Sequence, residues 1–137
     1  MSVIIHHTTS PVLSQQEREL LAEIKAAARY PVCRFELRGE EPGQPGCTVL
    51  DAVHLEQAQE AAEAVKERGA LLQSLQEKGL IVLYYNLTSY VKGDYAIYRD
   101  SPLFEQLQQR AAQEKKRAFL KKGRAVLTVK GQYACRQ

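Results

Sequence analysis

The chain has 137 residues, 45% of them hydrophobic and 26% charged, with a net charge of +3, three cysteines and no tryptophan. That length and balance exclude wholesale disorder and allow one domain with a core that needs no disulfide staples. No apolar run approaches the roughly 20 residues that cross a bilayer, and the start MSVIIHHTTS lacks the pattern of a secretory signal. A cytoplasmic protein with reduced thiols and no membrane partner is the expectation.

The charge is unevenly placed. From Arg110 onward there are nine basic residues and one acid, Glu114, whereas the preceding 109 residues carry ten basic and fifteen acidic ones. A basic end of this kind suits a segment that meets phosphate or an acidic partner, and equally a solvated helix end.

In chain order, the β-branched run Ser2 to Thr8 predicts a short N-terminal strand. Ser14 and Glu17 match a capping box, and Leu20, Leu21, Ile24, Ala27 and Ala28 give the helix behind it one apolar face that Pro31 closes. Val32 to Leu37 alternates as a strand, and the glycine- and proline-rich loop Arg38 to Gly46 leads to a returning strand, Cys47 to Val53. A hairpin centred near Glu40 sets Cys33 opposite Cys47, a single pair that makes no zinc signature.

Leu55 to Arg68 is rich in alanine and glutamate and predicts a helix. Gly69 then either turns the chain between two helices or lies within one long helix that reaches Lys78. Gly79 stops the helical pattern, Leu80 to Tyr85 reads as a strand, and Asp94 to Tyr98 reads as a second strand after a turn at Lys92 and Gly93. Five of the seven tyrosines fall between Tyr84 and Tyr98, where they suit strand packing or stacking on bases. Ser101 and Pro102 open a further helix with Leu103, Phe104, Leu107 and Ala111 on its apolar side. The helix extends in this reading through Lys115 to Arg117 as far as Lys122, and Gly123 ends it. Ala125 to Val129 predicts a last short strand, with Gly131 to Gln137 as a frayed end.

With Gly69 as a turn, helix 55–67, helix 70–78 and the strands across Lys92 and Gly93 resemble the recognition helix and wing of winged helix-turn-helix domains. The resemblance covers mainly residues 55–98. It implies an α+β fold of winged-helix-like helices with a β-hairpin wing and extra short N- and C-terminal strands. The single domain, 1–137, then has its winged-helix-like core at 14–109 and a basic helix and strand at 110–137.

The implied function is nucleic-acid binding, with DNA as the partner and a regulatory, non-catalytic role. The residues that would carry it are Arg68, Gln73 and Lys78 around the second helix, Lys92 at the wing tip, and Lys115, Lys116, Arg117, Lys121, Lys122 and Arg124 in the basic segment. The second helix exposes Gln73, Ser74, Gln76 and Glu77 and is poor in positive charge, so two alternatives stay open. One is a protein-interaction module or small subunit, a homodimer included; the other is a small-ligand binder or enzyme. No phosphate-binding glycine loop or GxSxG context is present, the histidines His6, His7 and His54 are scattered, and no cofactor is implied.

Overall fold

The computed structural model describes residues 12–41 and 43–136. The strand expected at Ser2 to Thr8 lies outside them. Helix α1 (Gln15–Ala26) starts as its capping box dictates: the Ser14 hydroxyl accepts from the Glu17 amide at 3.1 Å, and the Glu17 carboxylate accepts from the Ser14 amide at 2.9 Å. Strands β1 (Pro31–Gly39) and β2 (Cys47–Val53) form the expected antiparallel hairpin. Its register sets Cys47 against Leu37 and Cys33 against Val53, so the two thiols do not face each other. A bulge at Ala52, where φ is +49°, shifts the pairing.

Helix α2 (Ala62–Glu77) begins seven residues later than its composition suggests, because the Glu60 carboxylate folds back onto the amides of Glu56 and Gln57 and holds that stretch as a turn. It then runs uninterrupted through Gly69. The residue is buried against β2, where a Cβ would stand 3.1 Å from the Ala52 carbonyl oxygen and 3.2 Å from that of Asp51. Gly69 therefore serves close approach of helix to strand, not a change of direction.

Strand β3 (Ile81–Tyr84) follows Gly79, but no second wing strand does. Lys92–Tyr95 is a 3-10 turn and Ala96–Arg99 is the short helix α3. Tyr95 and Tyr98 stand three apart, a spacing that buries both on one helical side, whereas a strand would have pointed them to opposite faces. The two features on which the winged-helix resemblance rests, the turn at Gly69 and the hairpin across Lys92 and Gly93, are thus not formed.

Helix α4 (Pro102–Gln113) has its predicted cap, the Ser101 hydroxyl accepting from the Phe104 amide at 3.2 Å. It stops well short of Lys122. Lys115, at φ +56°, reverses the chain, and the basic segment is strand β4 (Lys116–Leu127), the longest in the sheet. Helix formers in the segment mask a two-residue alternation that sends Ala118 and Leu120 inward. Thr128 caps a final helix, α5 (Val129–Ala134), where a frayed end was expected.

The α+β class holds, with the strands of the described residues in a four-stranded antiparallel sheet of order β2-β1-β4-β3. Cys33, Phe35, Leu37 and Leu120 line one face beneath Tyr95, Tyr98, Phe104, Leu107 and Ala111. Val32, Ala52, Ile81 and Ala125 line the other beneath Leu20, Leu21, Ile24, Leu72 and Leu75 of α1 and α2. Among the described residues no helix is long and apolar enough to cross a membrane.

Glu17 ties α1 to the end of α2. Besides capping α1, its carboxylate accepts from the Ser74 hydroxyl at 2.7 Å and from Lys78 Nζ at 2.8 Å. Burial disfavours its charge, yet Lys78, the Ser14 amide and Ser74 together hold its pKa at about 2. Glu17→Ala is expected to cost about 2–3 kcal/mol, since it removes a cap and leaves Lys78 without its carboxylate. A carboxyl depressed on folding contributes fully above its unfolded pKa, and the contribution disappears as pH falls through the folded value. Urea unfolding should therefore show the gap between variant and parent at neutral pH, narrowing at about pH 3.

Candidate nucleic-acid interface

Strand β3 is only four residues long, so it covers β4 from Arg124 to Leu127 and leaves the other edge of residues 116–123 unpaired by any strand among the described residues. The chain leaving β3 crosses close over β4 at Gly123, where a Cβ would meet the Tyr84 carbonyl oxygen and the Tyr85 ring. From the opposite side the Tyr95 hydroxyl donates to the Gly123 carbonyl at 2.6 Å. Burial first, with a smaller contribution from nearby Cys33, pushes the Tyr95 phenol up to about 12, so it stays a donor at neutral pH. These contacts hold the segment 85–91 beside the open half of β4.

Two depressions result. The first, about 340 Å³, lies between β1, β4 and the crossing segment, with Arg38, Lys121 and Lys122 among the rings of Tyr85, Tyr90 and Phe119 and with Asn86, Leu87 and Leu120 completing it. The second, about 440 Å³, is lined by Tyr90, Lys92, Tyr95, Ala96, Arg99 and Lys122. They share Tyr90 and Lys122, so the two adjoin at that pair, and neither lining contains a carboxylate.

Cations and rings are interleaved there. The Arg38 guanidinium lies 3.5 Å from the Phe119 ring centroid, and Lys122 Nζ lies 4.7 Å from that of Tyr90 and 3.2 Å from its hydroxyl. Phe119 and Tyr90 remain 38% and 40% exposed. Arg38 also binds Glu36 at 2.9 Å, but among the described residues Lys92, Arg99, Lys121 and Lys122 make no ion pair with protein. Arg34 stands 4.1 Å from the Tyr85 ring and is neutralised by Asp51, which also accepts from the Tyr85 hydroxyl. Burial, then Asp51, raises the Tyr85 phenol well above its ordinary range.

Of the residues expected to bind nucleic acid, Lys92, Lys121 and Lys122 come together here. Arg117 stands on β4 opposite Arg38 in the register, near this surface. Lys115 forms the α4–β4 turn, and Lys116 lies 3.6 Å from Glu114. Arg124 lines a separate depression of about 260 Å³ with Arg29 and Tyr30. The α2 residues are engaged internally: Arg68 bridges the His54 carbonyl at 2.6 Å and Glu60 at 2.8 Å, Gln73 donates to Asp51 at 3.4 Å, and Lys78 binds Glu17. They hold α2 in place and contribute nothing to the β4 surface.

Sequence reasoning missed Arg38, Arg99 and Phe119, whereas Tyr90 is among the five tyrosines read as suited to strand packing or to stacking on bases. The alternation Arg117, Phe119, Lys121 was the available signal, because in a strand these three share one side. His54 is buried, stacks on Tyr30 at 3.8 Å and hydrogen-bonds the Pro31 carbonyl at 2.7 Å; burial lowers its pKa. It belongs to the packing beneath α2, away from this surface. The chain matches no protein-family model, and no curated protein or solved structure is significantly similar to it.

Proposed function

We propose that the protein binds nucleic acid without catalysing a reaction on it, and that the binding surface is the open half of β4 with the Tyr90 segment, not α2. The observation that carries this reading is the pair of adjoining linings, neither with a carboxylate, in which Arg38, itself held by Glu36, and Lys92, Arg99, Lys121 and Lys122 stand among the rings of Phe119 and Tyr90. The four lysine and arginine side chains there that make no ion pair among the described residues, Lys92, Arg99, Lys121 and Lys122, attract phosphate and release its counterions, which gives affinity without sequence dependence. Helix α2 supports no such role, since its outward side carries Glu63, Glu67 and Glu77 against Lys66.

The test is binding by the intact chain followed against salt. Deleting the basic end would remove a central strand of the sheet, so point changes are needed. Lys121→Gln with Lys122→Gln is expected to weaken binding and to flatten the plot of log affinity against log salt by about 1.5, at roughly 0.7–0.9 for each phosphate no longer neutralised. Lys66→Gln, which lies in a depression with Phe35 and Leu107, should change neither.

No binding at low salt by the intact chain would sink this reading in favour of a protein-interaction module or homodimer. That second reading has its own support. β2 is an edge strand whose Cys47–Leu50 stretch carries neither charge nor proline, and Val49 is 37% exposed.

A further inference from the structure

We infer that the nucleic acid taken by the β4 surface is single-stranded, with bases stacked on the Phe119 and Tyr90 rings and phosphates held by Lys121, Lys122 and Lys92. The inference rests on the nucleic-acid reading and narrows it. In a duplex the base faces are covered by one another, and only their edges are offered in the grooves, where a protruding helix or ribbon must reach them.

The residues of the two linings come from β1, β4, the segment 85–95 and the four-residue α3, so neither includes a long helix. The cations line two adjoining depressions, of about 340 and 440 Å³, within the roughly 300–1,000 Å³ in which small ligands are held. The exposed sides of α2 and α4 are poor in free positive charge: α2 presents three glutamates and one lysine outward, and α4 has Arg110 held by Glu114 at 2.7 Å. A recess lined by rings and cations suits an unstacked base with its phosphate far better than a rigid double helix.

The rings add a second, independent observation. Phe119 and Tyr90 line the same depression, both are well exposed, and each is accompanied by a cation, Arg38 at 3.5 Å and Lys122 at 4.7 Å. Stacking on a ring needs only the π-face that every base has, so it tolerates any sequence. Hydrogen-bond readers are correspondingly scarce, with Asn86 the one amide in either lining. Lys122 and Tyr90 belong to both depressions, which places them where a strand would pass from one to the other. The expected ligand is therefore a short single strand bound with little base preference.

The probes are oligo-dT and oligo-U of about 12 nucleotides, within the span of known single-strand sites, and a duplex of the same length. Because the chain has seven tyrosines and no tryptophan, quenching of tyrosine fluorescence reports stacking directly. The expected result is quenching and binding by either single strand, with the duplex about tenfold or more weaker. Phe119→Ala and Tyr90→Ala should each weaken single-strand binding by about 5- to 100-fold. Tyr90→Phe keeps the ring, and should keep the affinity while losing part of the quenching. Both rings are exposed, so these variants should fold, which circular dichroism checks.

Equal affinity for duplex and single strand, or ring variants without effect while the Lys121 and Lys122 change weakens binding, overturns the inference and leaves the nucleic-acid reading standing. Absence of binding to all three probes at low salt overturns both.

Discussion

Gly123→Val is expected to destabilise the protein by about 3 kcal/mol and to lower its melting temperature by roughly 10 °C. At this position the chain leaving β3 passes over β4, and a Cβ would collide with the Tyr84 carbonyl oxygen and stand 2.6 Å from the Tyr85 ring. A ring can rotate aside, but a backbone oxygen moves only if the pairing of Tyr84 with Arg124 opens. The same residue is held from the other side by the Tyr95 hydroxyl, so β4 cannot retreat without losing that buried hydrogen bond. Since small domains are stable by only about 5–15 kcal/mol, the loss is a large share of the total. Gly123→Ala should act in the same direction, because the first carbon is already in conflict. Urea unfolding gives the midpoints. A midpoint unchanged in both variants would show that Tyr84 and Tyr85 do not cross β4 here, and the shape of the first depression would lose its basis.

Features legible in the sequence were those whose cause is local. The Ser14–Glu17 box, the Ser101–Pro102 start and the stop at Gly79 each depend on residues within one turn of the feature, and each is in place. Where the cause lies far along the chain, the sequence reading failed. Glycine at 69 answers to the carbonyls of Asp51 and Ala52 on β2, not to its neighbours in α2. The basic segment carries good helix formers, yet the nine-residue register between β1 and β4 makes it a strand, and tertiary pairing outweighs propensities of a few tenths of a kcal/mol per residue. The site followed the same division. Charge alone pointed to Lys92, Lys121 and Lys122. Arg38 and Phe119 become neighbours only through strand pairing across more than 80 residues of sequence, in which Glu36 faces Phe119 and Arg38 faces Arg117.

Substitutions at Gly69 separate the two physical roles that a glycine can have in such a segment. If it were a hinge between two short helices, alanine would destabilise by stiffening the turn, and leucine, pointing to solvent, would do little more. In the observed helix the order is different. Alanine adds about 1 kcal/mol of helix propensity, while its Cβ, 3.1 Å from the Ala52 carbonyl oxygen, asks β2 to yield by a few tenths of an ångström. The two effects are of similar size and opposite sign, so Gly69→Ala should lie within about 1 kcal/mol of the parent. Leucine adds three more carbons where α2 already touches the bulged backbone of β2, and it is expected to cost about 3 kcal/mol or more. The strain falls on Ala52, which is fully buried and held at φ +49°, so hydrogen exchange at Ala52 and Val53 should accelerate before that of α2 itself. Alanine clearly destabilising and leucine no worse would restore the hinge. The reverse ranking ties the stability of the chain to the packing of one helix against one strand bulge.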